Sequence, residues 1–258
     1  MTETIIIALA ALVASGLTLL SGFGLGTLLM PVIAIFLPVD VAIGITAIVH
    51  FANNLFKLAL LGLKADKNTV IKFGVPAIFA AVAGAFLLGW LSHLQPIAGY
   101  AIAGRVFQIM PVKFIIGVVI LVFVALELAP AFAAITLDKR FLPLGGCISG
   151  FFGGLSGHQG AFRSMFLLKV GLSKEQFIAT GVVLAVIIDF TRLLIYGWET
   201  KTSSQHVEWL LVVVASLAAF AGVLIGKRVV KQMTIRSIQA IVSVLLAVVA
   251  LGLMSGVL

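Results

Sequence analysis

The chain has 258 residues, of which 62% are hydrophobic and 10% are charged, and its mean hydropathy is +1.27. Because about a quarter of the residues in a soluble domain are charged, this composition excludes a soluble fold and predicts an all-α polytopic membrane protein. The single cysteine, Cys147, excludes an intrachain disulfide, and the net charge of +8 is typical of cytoplasmic loops and does not indicate nucleic-acid binding.

Hydrophobic runs of about 20 residues are long enough to cross a bilayer, and six such runs predict full membrane spans. Two other runs, 5–37 and 141–170, are too long for one crossing, because about 30 residues of helix measure about 45 Å against a hydrocarbon core of about 30 Å. Each of these two runs is interrupted by glycine near its middle. The six spans cover residues 41–63, 70–91, 111–130, 176–197, 207–226 and 235–257.

The two interruptions are the segments SGFGLGT (21–27) and GGLSGHQG (153–160). An isolated glycine in a membrane helix usually marks close helix packing, but Gly22, Gly24 and Gly26 alternate and cannot share one helix face. Both segments are therefore predicted to break a helix. Irregular backbone at this depth is tolerated only where protein or water satisfies its polar groups.

The loop cations decide between a full crossing and a hairpin for the two long runs. Full crossings would give eight spans and divide the loop cations six to eight between the two sides. Two re-entrant hairpins place eleven cations on one side and leave only Arg105, Lys113 and Lys201 on the other, in line with the positive-inside tendency. We therefore expect six spans and two hairpins, with both termini periplasmic.

A hairpin followed by three spans is a unit with an odd number of crossings, so two copies must have opposite orientations in the membrane. The sequence is therefore expected to form two inverted repeats, 1–135 and 136–258, which together make one transport domain with its site at the midplane. A shift of 134 residues aligns Gly16 with Gly150, Gly26 with Gly160, and Thr46 with Thr180.

Polar residues inside the apolar spans are costly in lipid and indicate functional positions. His50, Asn53, Asn54 and Lys57 follow helical spacing and lie on one face of the span 41–63. Asp189 and Arg192 lie one turn apart in the matching span of the second half. Two alternatives remain open: a local ion pair between Asp189 and Arg192, and a Lys57 side chain that reaches the cytoplasmic interface.

The second break carries further polar residues next to a helix start. A helix restarting near Gly160 presents free N–H groups and the positive end of its dipole, which predicts an anion site, and a second start near Gly26 enters from the opposite face. An alternative stays open in which Arg163 pairs with Asp189 and serves only to hold the hairpin in place. The candidate substrate-binding residues are Ser21, Gly22, Gly24, Gly26, His50, Asn53, Asn54, Lys57, Ser156, Gly157, His158, Gln159, Arg163, Asp189 and Arg192.

The segments SGFGLGTLLMP and GGLSGHQGAFRS, with a G-x-T at 44–46 and an A-T-G at 179–181, resemble the sulfite exporter TauE/SafE family, also called the toluene sulfonate uptake permease family. The resemblance covers the whole chain. It implies transport of sulfite, sulfonates, sulfoacetate or another small sulfur-containing anion across a bacterial cytoplasmic membrane. Members of the family differ in substrate and in the direction of transport. Within this chain, the second half departs from the first because Met165 stands where Pro31 would align.

Two other functions compete with a secondary transporter. An anion channel uses helix N-termini and arginines in the same way. An intramembrane serine protease of the rhomboid type is the remote alternative, since GLSG (154–157) has the form of its nucleophile motif and His206 follows 50 residues later. We expect no enzyme, because His206 falls in a polar loop.

The expected partners are a small anion and membrane lipid, with no nucleic acid, no metal and no cofactor. Homodimer formation stays open. A coupling proton could be carried by Asp189, His50 or His158, and the sequence does not choose among them.

Overall fold

The computed structural model describes residues 2–21, 25–61, 64–102, 104–129, 138–168, 170–200, 208–229 and 235–258. Its helices are α1 (Thr2–Ser21), α2 (Leu25–Ala34), α3 (Val39–Leu61), α4 (Lys67–Ser92), α5 (Pro111–Leu128), α6 (Leu142–Ser156), α7 (Gly160–Leu167), α8 (Lys174–Thr200), α9 (Trp209–Val229) and α10 (Ile235–Ser255). A short 3₁₀ turn, Lys139–Phe141, precedes α6.

The helical membrane fold predicted from composition is confirmed. Within the described residues, α3, α4, α8 and α9 are long and apolar enough to cross a bilayer. The predicted spans 111–130 and 235–257 form α5 and α10. Large apolar side chains such as Phe79 and Leu210 lie exposed on the outside of the bundle, as expected of a lipid-facing surface.

A small β-hairpin between α4 and α5 is a feature that the sequence analysis does not predict. Strand β1 (Ala98–Ile102) pairs in antiparallel register with β2 (Arg105–Ile109). The Tyr100 hydroxyl donates a hydrogen bond to the Ser255 carbonyl oxygen at 2.6 Å, which fastens the hairpin to the end of α10. This tertiary contact, and not a long apolar pattern, holds the strands in place.

Both predicted breaks separate two helices. Helix α1 ends at Ser21 and α2 begins at Leu25, and the glycines Gly22 and Gly24 lie outside the described residues. Helix α6 ends at Ser156, and the next residue, Gly157, has a φ of 81°, a left-handed conformation in which glycine is strongly favoured.

Helix α7 returns along α6 instead of continuing the crossing. The Ser149 hydroxyl donates to the Gln159 carbonyl oxygen at 2.9 Å, and the Phe166 ring reaches back to Gly145 near the start of α6. Within 141–170, α6 and α7 therefore form a helical hairpin, and its position in the membrane stays a prediction.

Small residues let the helices approach closely. Gly146, Gly150 and Gly154 on α6 face the backbone of Phe73, Ala77 and Ala81 on α4, so these two helices are parallel. Gly222 and Gly226 on α9 face Leu12 and Gly16 on α1 in the same manner, which makes that pair parallel too.

The starts of α4 and α8 lie together. Asp66 caps α4 by accepting a hydrogen bond from the Thr69 N–H at 2.8 Å, and this bond lowers the pKa of the Asp66 carboxyl. The Asp66 N–H donates to Thr180 Oγ1 at 2.9 Å, while Gly74 further along α4 packs on Leu184 of α8. Helices α4 and α8 are therefore parallel, whereas a full crossing by 141–170 would make them antiparallel.

Candidate functional site

The start of α2 and the tip of the second hairpin meet in the interior of the bundle. A Cβ atom placed on Gly26, at the start of α2, would lie 3.5 Å from the Gly157 carbonyl oxygen and 3.5 Å from Thr46 Cγ2 on α3. The first helix start, the tip of the second hairpin and the polar face of α3 therefore converge on one region, as the sequence predicts for Gly26 and Gly157.

The Asp189 carboxylate is the centre of a hydrogen-bond network in this region. Its Oδ1 accepts from Gln159 Nε2 at 2.8 Å and from Arg192 Nε and Nη2 at 3.0 and 2.8 Å. Its Oδ2 accepts from His50 Nδ1 at 2.6 Å and from Asn54 Nδ2 at 3.4 Å. Five donors occupy the lone pairs of a fully buried carboxylate, so Asp189 is satisfied by protein groups alone.

Arg192 connects this network to the end of α6. Its Nη1 donates to the Gly153 carbonyl oxygen at 3.2 Å, and the Tyr196 hydroxyl donates to the Gly154 carbonyl oxygen. Both acceptors belong to the last turn of α6, and the Gly153 oxygen also accepts from the Gly157 N–H at 3.1 Å. The local ion pair that the sequence left open for Asp189 and Arg192 is present, and it fixes the second hairpin to α8.

Two other cations of the region have no carboxylate partner. Lys57 and Arg163 are 7% and 8% exposed, and their charges lie close enough to repel each other. Arg163 Nη1 donates a long bond of 3.4 Å to Gln159 Oε1, and Lys57 has neither a hydrogen bond nor an ion pair with any residue that the structure describes. The described ion pairs of Asp189 are with His50 and Arg192, not with Arg163.

The Arg163 side chain lies next to one of the motif glycines. A Cβ atom on Gly181, within the A-T-G segment of α8, would lie 3.7 Å from Arg163 Nε, which is an ordinary contact distance.

His158 follows the left-handed Gly157 at the hairpin tip. Its Nδ1 lies 3.1 Å from the Ser156 carbonyl oxygen and 3.1 Å from Ser156 Oγ, and its ring centroid is 5.6 Å from that of Phe123 on α5. The second ring nitrogen, Nε2, is fully buried and has no hydrogen-bond partner in the described part of the chain.

Three further buried polar atoms near the breaks have no partner among the described residues: Thr27 Oγ1, Thr46 Oγ1 and Asn53 Nδ2. Asn53 is held by Ser15 of α1, whose hydroxyl donates to Asn53 Oδ1 at 3.2 Å. All three atoms can donate a hydrogen bond, which suits an oxyanion. The sequence analysis did not select Thr27 or Thr46, although Thr27 follows Gly26 and Thr46 belongs to the aligned set.

The structure thus groups the predicted residues into three sets. The first set is the closed network of His50, Asn54, Gln159, Asp189 and Arg192. The second set is the pair of cations without a carboxylate in the described residues, Lys57 and Arg163. The third set lies at the start of α2, on α3 or at the hairpin tip, and consists of Gly26, Asn53, Ser156, Gly157 and His158. Gly22, Gly24 and the side chain of Ser21 lie outside the described residues. Substrate contact by any of these residues stays a prediction.

Fold and site define the chain as a polytopic helical membrane protein with an excess of buried positive charge where two helix breaks meet. The family model described as Sulfite exporter TauE/SafE matches residues 7–253, and the chain belongs to this family. The resemblance seen in the sequence is therefore confirmed. No curated protein and no solved structure shows significant similarity to the chain.

Proposed function

We propose that the protein is a secondary transporter of a small sulfur-containing anion of the sulfite, sulfonate or sulfoacetate class. Membership of the TauE/SafE family supports the transport of a sulfur anion. The observation that carries the site assignment is the pair of buried cations, Lys57 and Arg163, for which the described residues offer no free carboxylate.

Buried cations of like charge are unfavourable unless a counter-charge is present, because the surroundings are poor in water. An oxyanion between Lys57 and Arg163 would supply that counter-charge. Arg163 can meet two oxygen atoms of a sulfonate or sulfite group with its planar fork, while Lys57 contributes a point charge.

The start of α7 adds uncharged donors to the same region. The N–H groups of the first helical turn, from Gly160 onward, have no intrahelical acceptor and carry the positive end of the helix dipole. Arg163 lies on that helix, and Gln159 immediately precedes it. An anion held by Arg163 can therefore also accept hydrogen bonds from the hairpin backbone.

The same proposal includes two inverted repeats, 1–135 and 136–258, that form one transport domain. In chain order α1 corresponds to α6, α3 to α8 and α4 to α9. The parallel packing of α4 against α6 is therefore repeated by the parallel packing of α9 against α1. Since α3 and α4 are consecutive spans with opposite directions, and α8 is parallel to α4, the corresponding helices α3 and α8 are opposed. This arrangement supports an inverted duplication.

We place the protein in a bacterial cytoplasmic membrane with periplasmic termini, on the basis of the loop cations and of the family. The partners are the anion and lipid.

Binding and flux measurements test this function. Purified protein should bind at least one of sulfite, sulfoacetate, taurine and methanesulfonate more tightly than acetate in calorimetric titrations. Proteoliposomes should then show saturable uptake of that anion, accelerated when unlabelled anion is present inside. Single-channel currents without such acceleration would instead show a channel, and labelling of Ser156 by a fluorophosphonate would revive the protease alternative.

A further inference from the structure

Three buried groups of the site could carry a proton, and the structure distinguishes them. Asp189 accepts five hydrogen bonds, and a proton on either oxygen would displace a donor. His50 donates from Nδ1 to Asp189, and its Nε2 lies 3.3 Å from Asn54 Nδ2, which can donate to it. Both groups are therefore satisfied without an additional proton.

His158 differs because only one of its ring nitrogens has a partner. The Ser156 carbonyl oxygen can only accept, so the Nδ1 atom facing it carries the hydrogen. In the neutral ring, Nε2 is then a bare acceptor, fully buried and without a donor among the described residues. A buried acceptor without a partner is unfavourable, and a proton is one group that can fill the position.

The charges that face His158 determine when this proton can bind. Arg192 of α8 lies against Gly157 and bonds Asp189, and Gln159, the residue after His158, bonds both Asp189 and Arg163. His50 of α3 also bonds Asp189, and Lys57 of α3 lies near Arg163. The ring of Phe123 covers His158 from α5, and α2, which contacts the tip through Gly26, has no titratable residue. With three cations against one carboxylate, a further positive charge is opposed until an anion is present.

We propose that His158 takes up a proton at Nε2 when the anion binds and donates the resulting N–H to an anion oxygen. The proton comes from solution and leaves with the anion, so that the two are carried together. This proposal rests on the transport function proposed above and adds its coupling ion.

The test uses an anion whose own charge is constant, since sulfite itself titrates near neutral pH. Methanesulfonate, sulfoacetate and sulfate are titrated into purified full-length protein in buffers of different ionisation enthalpy, between about pH 6 and about pH 8. Wild-type protein should take up about one proton per anion at the acidic end of this range, and its Kd should fall by up to about tenfold per unit of decreasing pH.

The variant His158→Gln keeps an amide N–H donor but cannot titrate. At the alkaline end of the range it should bind the anion within about fivefold of the wild type, which corresponds to about 1 kcal/mol. It should show no proton uptake, and its Kd should not depend on pH. The matched control is His93→Gln. The ring of His93 hydrogen-bonds the Gly89 carbonyl oxygen at the end of α4, and the variant should keep full proton uptake.

Each alternative result overturns the proposal in a recognisable way. Anion binding without proton uptake refutes the role of His158 and leaves the transport function intact. Proton uptake that survives in His158→Gln refutes the role of His158, and its loss in His50→Gln or in Lys57→Met assigns the proton to that residue. If sulfite and taurine also fail to bind when these three anions do not, both proposals fail.

A second measurement applies if His158→Gln does not fold. Nitrogen NMR of histidine-labelled protein, with signals assigned from the variants of His50, His93 and His206, should show His158 Nε2 unprotonated in the free protein and protonated once the anion is added. An Nε2 signal that the anion leaves unchanged refutes the proposal.

Discussion

Asp189 and Arg192 lie one helical turn apart on α8, and Asp189 Oδ1 accepts hydrogen bonds from Arg192 Nε at 3.0 Å and from Nη2 at 2.8 Å. Both side chains are fully buried, and the same carboxylate receives donors from α3 and from the hairpin tip. The pair therefore fastens the second hairpin and α3 to α8.

Replacing Asp189 by asparagine should destabilise the fold. The change leaves the Arg192 charge buried without its counter-ion, and breaking a buried pair in this way costs about 3–5 kcal/mol. Thermal unfolding of purified protein in detergent, followed by circular dichroism, measures the loss. Glu175→Gln at the exposed start of α8 is the control and should unfold like the wild type. Equal stability of Asp189→Asn and Glu175→Gln would contradict a structural role.

Replacing Arg163 by glutamine should weaken anion binding without preventing folding. A charge-assisted hydrogen bond from arginine contributes about 1.5–3 kcal/mol, so the Kd should rise about 10- to 150-fold. Arg163→Lys should recover part of the affinity, because an ammonium group lacks the planar fork. The exposed Arg140, which packs on the Phe141 ring, gives the control Arg140→Gln. Unchanged affinity in monodisperse Arg163→Gln would remove this residue from the site.

Replacing Lys57 by methionine should have opposite effects on stability and on binding. The change removes a buried charge that repels Arg163, so the anion-free protein should become more stable, by about 1–3 kcal/mol. Anion affinity should fall, since one of the two cations is lost. Thermal shifts with and without the anion measure both effects, with Lys72→Met on the exposed surface of α4 as the control. A loss of anion-free stability would show that Lys57 is paired or reaches the interface.

The features that the sequence predicts correctly depend on local pattern. Alternating glycines predict the first break, and helical spacing predicts that His50 and Lys57 share a face of α3. The partner of each polar side chain depends on packing between distant elements, so the bond of His50 to Asp189, 139 residues away, could not be predicted. The sequence also could not decide whether Arg163 pairs with Asp189. Only the packed structure shows that other side chains already donate to both oxygens of that carboxylate.

Cysteine labelling in intact cells should place both termini on the periplasmic side. After Cys147→Ser, single cysteines at positions 67, 139, 201 and 231 are treated with an impermeant maleimide. Only position 201 should react readily, because the loop cations place the other three in the cytoplasm. The parallel directions of α4 and α8 agree with this topology. Labelling at 67 and 139 together with 201 would contradict it and support eight full spans.

The contact between α4 and α6 gives the sharpest test of the packing. A Cβ atom on Gly150 would collide with the Ala77 backbone of α4, which cannot move aside as a flexible side chain can. Gly150→Ala should therefore force α4 and α6 apart and destabilise the protein by at least about 1–3 kcal/mol.

Gly44→Ala on α3 is the matched control, because a Cβ atom there has nothing within 4 Å. It should be neutral or stabilising by up to about 1 kcal/mol, since alanine is the better helix former. Gly222→Ala on α9, which would collide with the Leu12 backbone of α1, should resemble Gly150→Ala if the two halves are related as proposed. Comparable melting temperatures for Gly150→Ala and Gly44→Ala would show that α4 and α6 are not in close contact, and would remove the basis for assigning their parallel directions.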